Sequence, residues 1–414
     1  MERLTVVLLM LFAFAVPWEY SLDMGEPFGN AARILGILLL FAVIPAALMN
    51  GGLRKPGLVQ WLVLVFYLYF VCSYFWTVDQ EATIEKIRAY FQVMMIVWIV
   101  WEVASGPEHF RGLVRAFVAG CWVLAILTLL NFTQVSTASP EQIADQVRFV
   151  AEGQDPNDVA RFLDLGFPFA ALLFAKESRW WVRAAAIGYL PAGLLAVLLT
   201  ASRGGFSAAV AACLGTAALL LAWRPRVASA TFLGLGLTLG GLVLFVPTET
   251  LDRLATIPGE MQGGGWNDRF NIWNAGWHAF TQAPLCGFGA GTFTVAAGLA
   301  TGDTAHNTFM AVLVMGGLTG TAILVSIICA VVWAVLKTSG LIRIALGTTF
   351  VVWAITSMVG SVEENRATWL IWGMMAVAGR LAEEAPWISP KDQRDFSWSG
   401  LRSNVKSLQA SAGH

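Results

Sequence analysis

An all-α polytopic membrane protein, with about twelve transmembrane helices and one long loop outside the bilayer, is the fold class this sequence predicts. Three observations carry it. Of 414 residues, 57% are hydrophobic and 13% charged, whereas roughly a quarter of a soluble domain is charged. Apolar runs of roughly 20 residues, the length a helix needs to cross about 30 Å of hydrocarbon, recur along the whole chain. Lysine and arginine concentrate in alternate connections between those runs, the pattern that orientation in a membrane imposes. The net charge of -1 says little about partners, because the charges are sorted by side.

The first apolar stretch, Leu4 to Val16, runs into Pro17-Trp18-Glu19 without a small-x-small cleavage pattern. It reads as a short first span and not as a removed signal. Taken in order, the predicted spans are 4–17, 30–49, 57–76, 86–104, 112–132, 158–175, 180–200, 204–222, 227–246, 306–336, 341–360 and 366–383. Residues 1–247 then hold spans one to nine, 248–305 form the long loop with an amphipathic helix, 306–384 hold the last three spans, and 385–414 are a tail. An even number of crossings puts both termini on one face.

That face is predicted to be cytoplasmic. Its loops carry Arg54 and Lys55, Arg111, Lys176 with Arg179 and Arg183, Arg224 and Arg226, Lys337 and Arg343, and the tail adds Lys391, Arg394, Arg402 and Lys406. The alternate loops are acidic: Glu19, Asp23 and Glu26; Asp79, Glu81 and Glu85; Glu141, Asp145, Glu152, Asp155 and Asp158; Glu363 and Glu364.

Cations on the acidic face break the bias: Arg33, Lys86, Arg88, Arg148, Arg161, Arg203, Arg253, Arg269 and Arg366. Any one of them reads equally as a snorkelling side chain or a partner for a loop carboxylate. Together, at the mouths of several spans, they suggest a polyanion site, and a diphosphate suits the guanidinium fork. At Thr200-Ala201-Ser202-Arg203-Gly204-Gly205, two spans meet with almost no loop. Arg203 is expected either to contact phosphate, assisted by N–H groups at the next helix start, or to cap helix carbonyls.

The long loop, from Pro247 to Ala305, opens an amphipathic stretch at Asp268-Arg269-Phe270-Asn271-Ile272-Trp273 that ends near Phe280. Pro284, Gly287, Gly289 and Gly291 follow and read as a flexible lid beyond a surface helix. Gly287-Phe288-Gly289-Ala290-Gly291 lacks the preceding strand of a nucleotide-binding loop. A new helix is predicted at Asp303-Thr304-Ala305-His306-Asn307, capped by Thr304 or Asp303, with His306 in its first turn. A neutral imidazole there can accept a hydroxyl proton; the alternative is a histidine donating to a backbone carbonyl. His109 and His278 fall elsewhere, no zinc-type spacing exists, and the five cysteines (Cys72, Cys121, Cys213, Cys286, Cys329) read as small residues of a membrane core. No metal and no cofactor are expected.

These segments carry a family likeness. Ser202-Arg203-Gly204-Gly205, then Arg269 to Trp273 continuing through Pro284 and Gly287-x-Gly289-x-Gly291, then His306-Asn307-x-Phe309, together with Arg148 and Gly153 to Pro156-Asn157, resemble the O-antigen ligase and polymerase superfamily. The likeness spans nearly the whole chain in architecture, while the motifs occupy the outer loops and flanking helices. It implies a GT-C-like membrane glycosyltransferase. The enzyme would take a polysaccharide from undecaprenyl diphosphate and join it to an acceptor at the periplasmic face of a bacterial inner membrane; for a ligase the acceptor is lipid A-core. Membrane lipids are then the surroundings, and nucleic acid is no partner.

On that reading Arg203 and Arg269 hold the diphosphate with Arg88, and Arg148, Arg161 and Arg366 are further binding candidates, as is Asn307. His306 deprotonates the acceptor hydroxyl, and inversion follows. Glu363, Glu364 and Asp155 are assigned to arginine pairing or acceptor sugar binding. A polymerase, a protein O-oligosaccharyltransferase and, from another class, a lipid-linked glycan flippase remain as alternatives.

Overall fold

The computed structural model describes residues 2–384 except positions 23, 26–28, 50, 137–147, 245, 247, 256–266 and 301. Asp23, Glu26, Glu141, Asp145, the tail residues and the side chain of Arg253 therefore lie outside the described residues. Every predicted span contains a helix: α1 (Glu2–Ala15), extended by a 3-10 turn over Val16–Ser21, α2 (Ala31–Met49), α3 (Leu58–Cys72), α4 (Gln80–Val103), α5 (Pro107–Ser136), α6 (Pro156–Lys176), α7 (Trp180–Leu199), α8 (Arg203–Trp223) and α9 (Pro225–Val243). The long connection holds α10 (Thr248–Ala255), α11 (Asn267–Gln282) and the short α12 (Phe293–Ala296). The chain ends in α13 (Thr308–Lys337), α14 (Gly340–Ser357) and α15 (Arg366–Glu384), and no strand occurs among the described residues.

Eight of these helices are long and apolar enough to cross a membrane: α1 through Ser21, α2, α3, α5, α7, α8, α13 and α14. Among the others, α6 and α15 carry charge, with Asp158, Arg161 and Asp164 on α6 and Arg366 and Arg380 on α15. They are also the most enclosed. Residues Val159 to Leu173 of α6 and Ala367 to Arg380 of α15 are all buried, because α6 packs against α7, α8 and α14 while α15 packs against α4 and α13. Charged helices are tolerated in such a bundle when neighbours cover them. The large apolar side chains left exposed, such as Phe41, Leu48, Leu214 and Leu237, lie on the outer helices.

Small residues bring the helices close, as packing within a membrane favours. At Gly215 the place a Cβ would take on α8 is filled by Thr348 of α14, and at Gly120 it is filled by the Phe14 carbonyl of α1. The five cysteines are all free.

α13 is broken at Gly317, where φ is 61° and ψ is -161°, and the glycine-rich stretch of the long loop fills the break. Phe288 and Gly289 N–H donate to the Val314 and Met315 carbonyls at 3.1 and 2.9 Å, and Leu318 and Thr319 N–H donate to Pro284 and Leu285 at 2.8 and 3.1 Å. The Tyr69 hydroxyl donates to Gly316 O at 2.7 Å and meets Cys286 O at 3.1 Å. From the other side Thr83 donates to Ala290 O at 2.7 Å, and Ala290 N–H donates to Ser73 at 3.0 Å. This corrects the expectation of a flexible lid: residues 284–291 are a packed plug. Gly287 has φ +66°, and a Cβ there would stand 2.5 Å from the Met315 carbonyl, so glycine serves close backbone approach and not motion.

Candidate functional site

The site gathers where α6, α8, α13 and α15 begin. At α13 the cap is Asn307, whose Oδ1 accepts from Met310 N–H at 3.0 Å and whose Nδ2 donates to Met358 O at 3.2 Å. Thr308, the first helical residue, donates to Gly360 O at 2.9 Å and accepts from Val362 N–H at 2.8 Å. The expected caps, Thr304 and Asp303, are therefore corrected to Asn307, and His306 stands before the helix instead of in its first turn. The Asn307 amide is thus engaged at both ends, its oxygen capping α13 and its nitrogen holding the Met358 carbonyl.

The 358–360 turn also receives α8. Ser202 caps it, accepting from Gly205 N–H at 3.1 Å, and Gly204 faces Val359 so closely that a Cβ would come within 2.6 Å of a Val359 methyl. The start of α8 thus packs, through Gly204, on the Val359 side chain, between the Met358 and Gly360 carbonyls that anchor Asn307 and Thr308.

Two non-glycine residues among the described ones have positive φ: Ala201 at 46° and His306 at 45°. Such backbone is sparsely populated and persists only where neighbours fix it. Here the neighbours are visible. Ser202 Oγ donates to Asn157 Oδ1 at 2.8 Å, Arg148 reaches the same oxygen at 3.3 Å, and Arg148 Nε donates to Thr200 O at 3.1 Å. Around His306, the Trp273 indole of α11 donates to Ala305 O at 2.9 Å, and His306 Nδ1 lies 3.3 Å from the Thr304 hydroxyl.

His306 is half-buried, and its ordinary pKa of 6.5 is lowered, first by burial and then by the Arg269 guanidinium; Asp155 and Asp303 act the other way. The imidazole is therefore neutral at neutral pH. In the tautomer that donates Nδ1–H to Thr304, Nε2 carries the free lone pair.

The remaining predicted residues divide. Arg161 is buried and pairs with Asp158 at 3.0 Å. Arg366 pairs with Glu19 at 2.5 Å and donates to Gln92 at 3.1 Å. Arg88 lies exposed on α4. Glu363 and Glu364 both meet Lys86, at 3.1 and 3.0 Å, so their expected arginine pairing is corrected to lysine pairing. Asn157, which joins Arg148 to Ser202, belongs to the Gly153 to Pro156-Asn157 motif, but nothing in the sequence marked that joining role. Glu19 and Gln92 were likewise legible only as a loop acid and a helix residue.

Residues 188–325, a third of the chain, match the family described as O-antigen ligase. The matched segment is similar to an O-antigen ligase-type domain. It runs from within α7 to within α13 and so takes in the Ser202–Arg203 turn, Arg269, the plug and His306. That segment is similar to the O-antigen ligase and polymerase superfamily, whose members are glycosyltransferase-like enzymes. With its apolar helices, the chain is a multi-pass membrane protein. No curated protein matches it significantly.

Proposed function

We propose that this protein is an O-antigen ligase of the bacterial inner membrane. It would transfer O-antigen from undecaprenyl diphosphate to lipid A-core at the periplasmic face, through twelve spans of GT-C-like arrangement with both termini cytoplasmic. The observation that carries the reading is the half-buried His306 imidazole, kept neutral by burial and Arg269, beside Asn307, which holds the Met358 carbonyl, while Gly204, the residue after Arg203, faces the neighbouring Val359.

The reaction follows from that arrangement. His306 Nε2 takes the proton of an acceptor hydroxyl as its oxygen attacks the anomeric carbon, and the bond from that carbon to the diphosphate oxygen breaks on the opposite face. The electron pair leaves with the diphosphate, whose growing charge meets Arg203 and Arg269, and the sugar is inverted. Diphosphate is a good leaving group, so positioning and positive charge suffice without a general acid. Arg148 supports this indirectly by holding Thr200 and Asn157, and hence the turn that presents Arg203. Arg88, Arg161, Arg366 and Asn307 are retained as binding candidates. In this reading Arg161, Arg366 and Asn307 act mainly through the backbone and acids they hold.

The test is reconstitution of the purified protein with undecaprenyl diphosphate-linked glycan and, separately, lipid A-core, a second glycan carrier or a pilin-like protein. Mass gain on lipid A-core is the expected result. Gain only on the glycan carrier would make the protein a polymerase, gain only on the protein recipient an oligosaccharyltransferase, and movement of the donor between leaflets without any transfer a flippase.

A further inference from the structure

A narrow groove of ≈ 200 Å³ runs between α1, α2 and α4, and neither the His306 base nor the Arg203 turn forms part of it. Its walls are apolar, among them Phe12, Gly36, Ile37, Leu40, Met95 and Ile99, and its polar members are Arg33, Gln92 and Arg366. Arg33 and Arg366 stand at the starts of α2 and α15, so the polar residues gather at the end of the bundle that holds the catalytic candidates. An apolar trough with cations at one end has the polarity of a single lipid: a hydrocarbon chain below and an anionic head above.

Size and charge favour one occupant. The groove is smaller than the roughly 300–1,000 Å³ of sites that enclose drug-sized ligands, so it admits one chain and not the several acyl chains of a glycolipid acceptor. At its mouth, no acceptor or carboxylate among the described residues meets the Arg33 guanidinium, which folds back over Gly29. Arg88 lies one helical turn from Gln92 on α4, hence on the same face. Arg366 leads directly into the 358–365 turn that holds Asn307 and Thr308.

We propose that the α1–α2–α4 groove receives isoprene units of a polyprenyl diphosphate, with Arg33 and Arg366 at its polar end and the diphosphate itself left to Arg203 and Arg269. This rests on the donor assigned under the proposed function and gives it a place in the fold. Gly36 is the narrowest lining residue. A Cβ there would make ordinary contact with Phe12 at 3.5 Å, so a larger side chain fills the trough without displacing backbone.

The experiment uses the full chain in nanodiscs containing phosphatidylglycerol, with undecaprenyl diphosphate carrying a photoreactive group in its isoprene chain. Crosslinks are expected on peptides of α1, α2 and α4 around Phe12, Ile37 and Met95. Gly36→Leu and Ile37→Trp should each weaken binding of undecaprenyl diphosphate about tenfold while leaving phosphatidylglycerol retention unchanged. If Gly36→Leu fails to fold, the wild-type crosslink map and Ile37→Trp still decide. Crosslinks elsewhere, or wild-type affinity in both groove variants, would overturn the groove and leave the proposed function standing. Phosphatidylglycerol held in the groove and not displaced by the diphosphate would overturn it as well. A wild-type protein that binds no polyprenyl diphosphate would overturn both.

Discussion

The Arg269 guanidinium acts on the His306 imidazole: after burial it is the largest influence holding that imidazole below its ordinary 6.5. A base with a lowered pKa stays neutral as the pH falls below 6.5, and it loses its lone pair only as the pH drops through the lowered value. Arg269→Gln removes the repelling charge and raises the value. The acid limb of the kcat/KM profile should therefore move to higher pH in this variant, and kcat should also fall, by about 10²-fold or more if a diphosphate contact is lost. An acid limb that stays in place would uncouple the two residues.

His306 joins a chemical role to a strained backbone, and glycine separates the two. His306→Gly removes the imidazole but suits a φ of 45°, so thermal unfolding should occur no earlier than in the wild type while transfer is lost. His306→Ala keeps the strain without the base and should unfold earlier than the glycine variant, by about 1 kcal/mol. If the glycine variant is the less stable one, the left-handed geometry is not a strain at this position.

Ser202 and Arg203 are adjacent with different tasks. Ser202→Ala removes the α8 cap and the bond to Asn157, and should lower stability by about 1–2 kcal/mol with part of the activity retained. Arg203→Lys should leave stability nearly unchanged and remove most of the activity, because the planar fork is gone. Denaturation curves alongside turnover numbers distinguish the two outcomes, and equal activity of the lysine variant would make Arg203 a structural arginine.

Gly287 tests the plug. An alanine there must hold φ near +66° and meets the Met315 carbonyl, so Gly287→Ala should force residues 284–291 out of the α13 break. Protease cleavage of the long loop should accelerate strongly, and transfer should fall with it. A variant as resistant as the wild type would restore the reading of this segment as a loose lid.

The helices were readable because lipid leaves few alternatives: a run of roughly 20 apolar residues must satisfy its own backbone, and a helix lies at each such run. The plug was not readable, since Pro284 to Gly291 looks locally like any mobile turn and its partners, Met315 and Tyr69, are brought to it only by tertiary packing. The cap of α13 failed for a related reason. Asp303, Thr304 and Asn307 are all good caps in sequence, and contact with Met358 selects the last. The arginines could be sorted by end of the bundle from sequence, because charge bias between loops is a property of sequence. Which of them meet carboxylates, as Arg366 meets Glu19, depends on helix neighbours that no local pattern encodes.

The reaction rests on His306 as the base for the acceptor hydroxyl. That role is tested most directly by single-turnover transfer with folded His306→Gln protein loaded with undecaprenyl diphosphate-linked glycan and supplied with lipid A-core. Donor binding equal to the wild type is expected, with transfer slowed by about 10²–10⁴-fold. Transfer at the wild-type rate with the donor bound would contradict it.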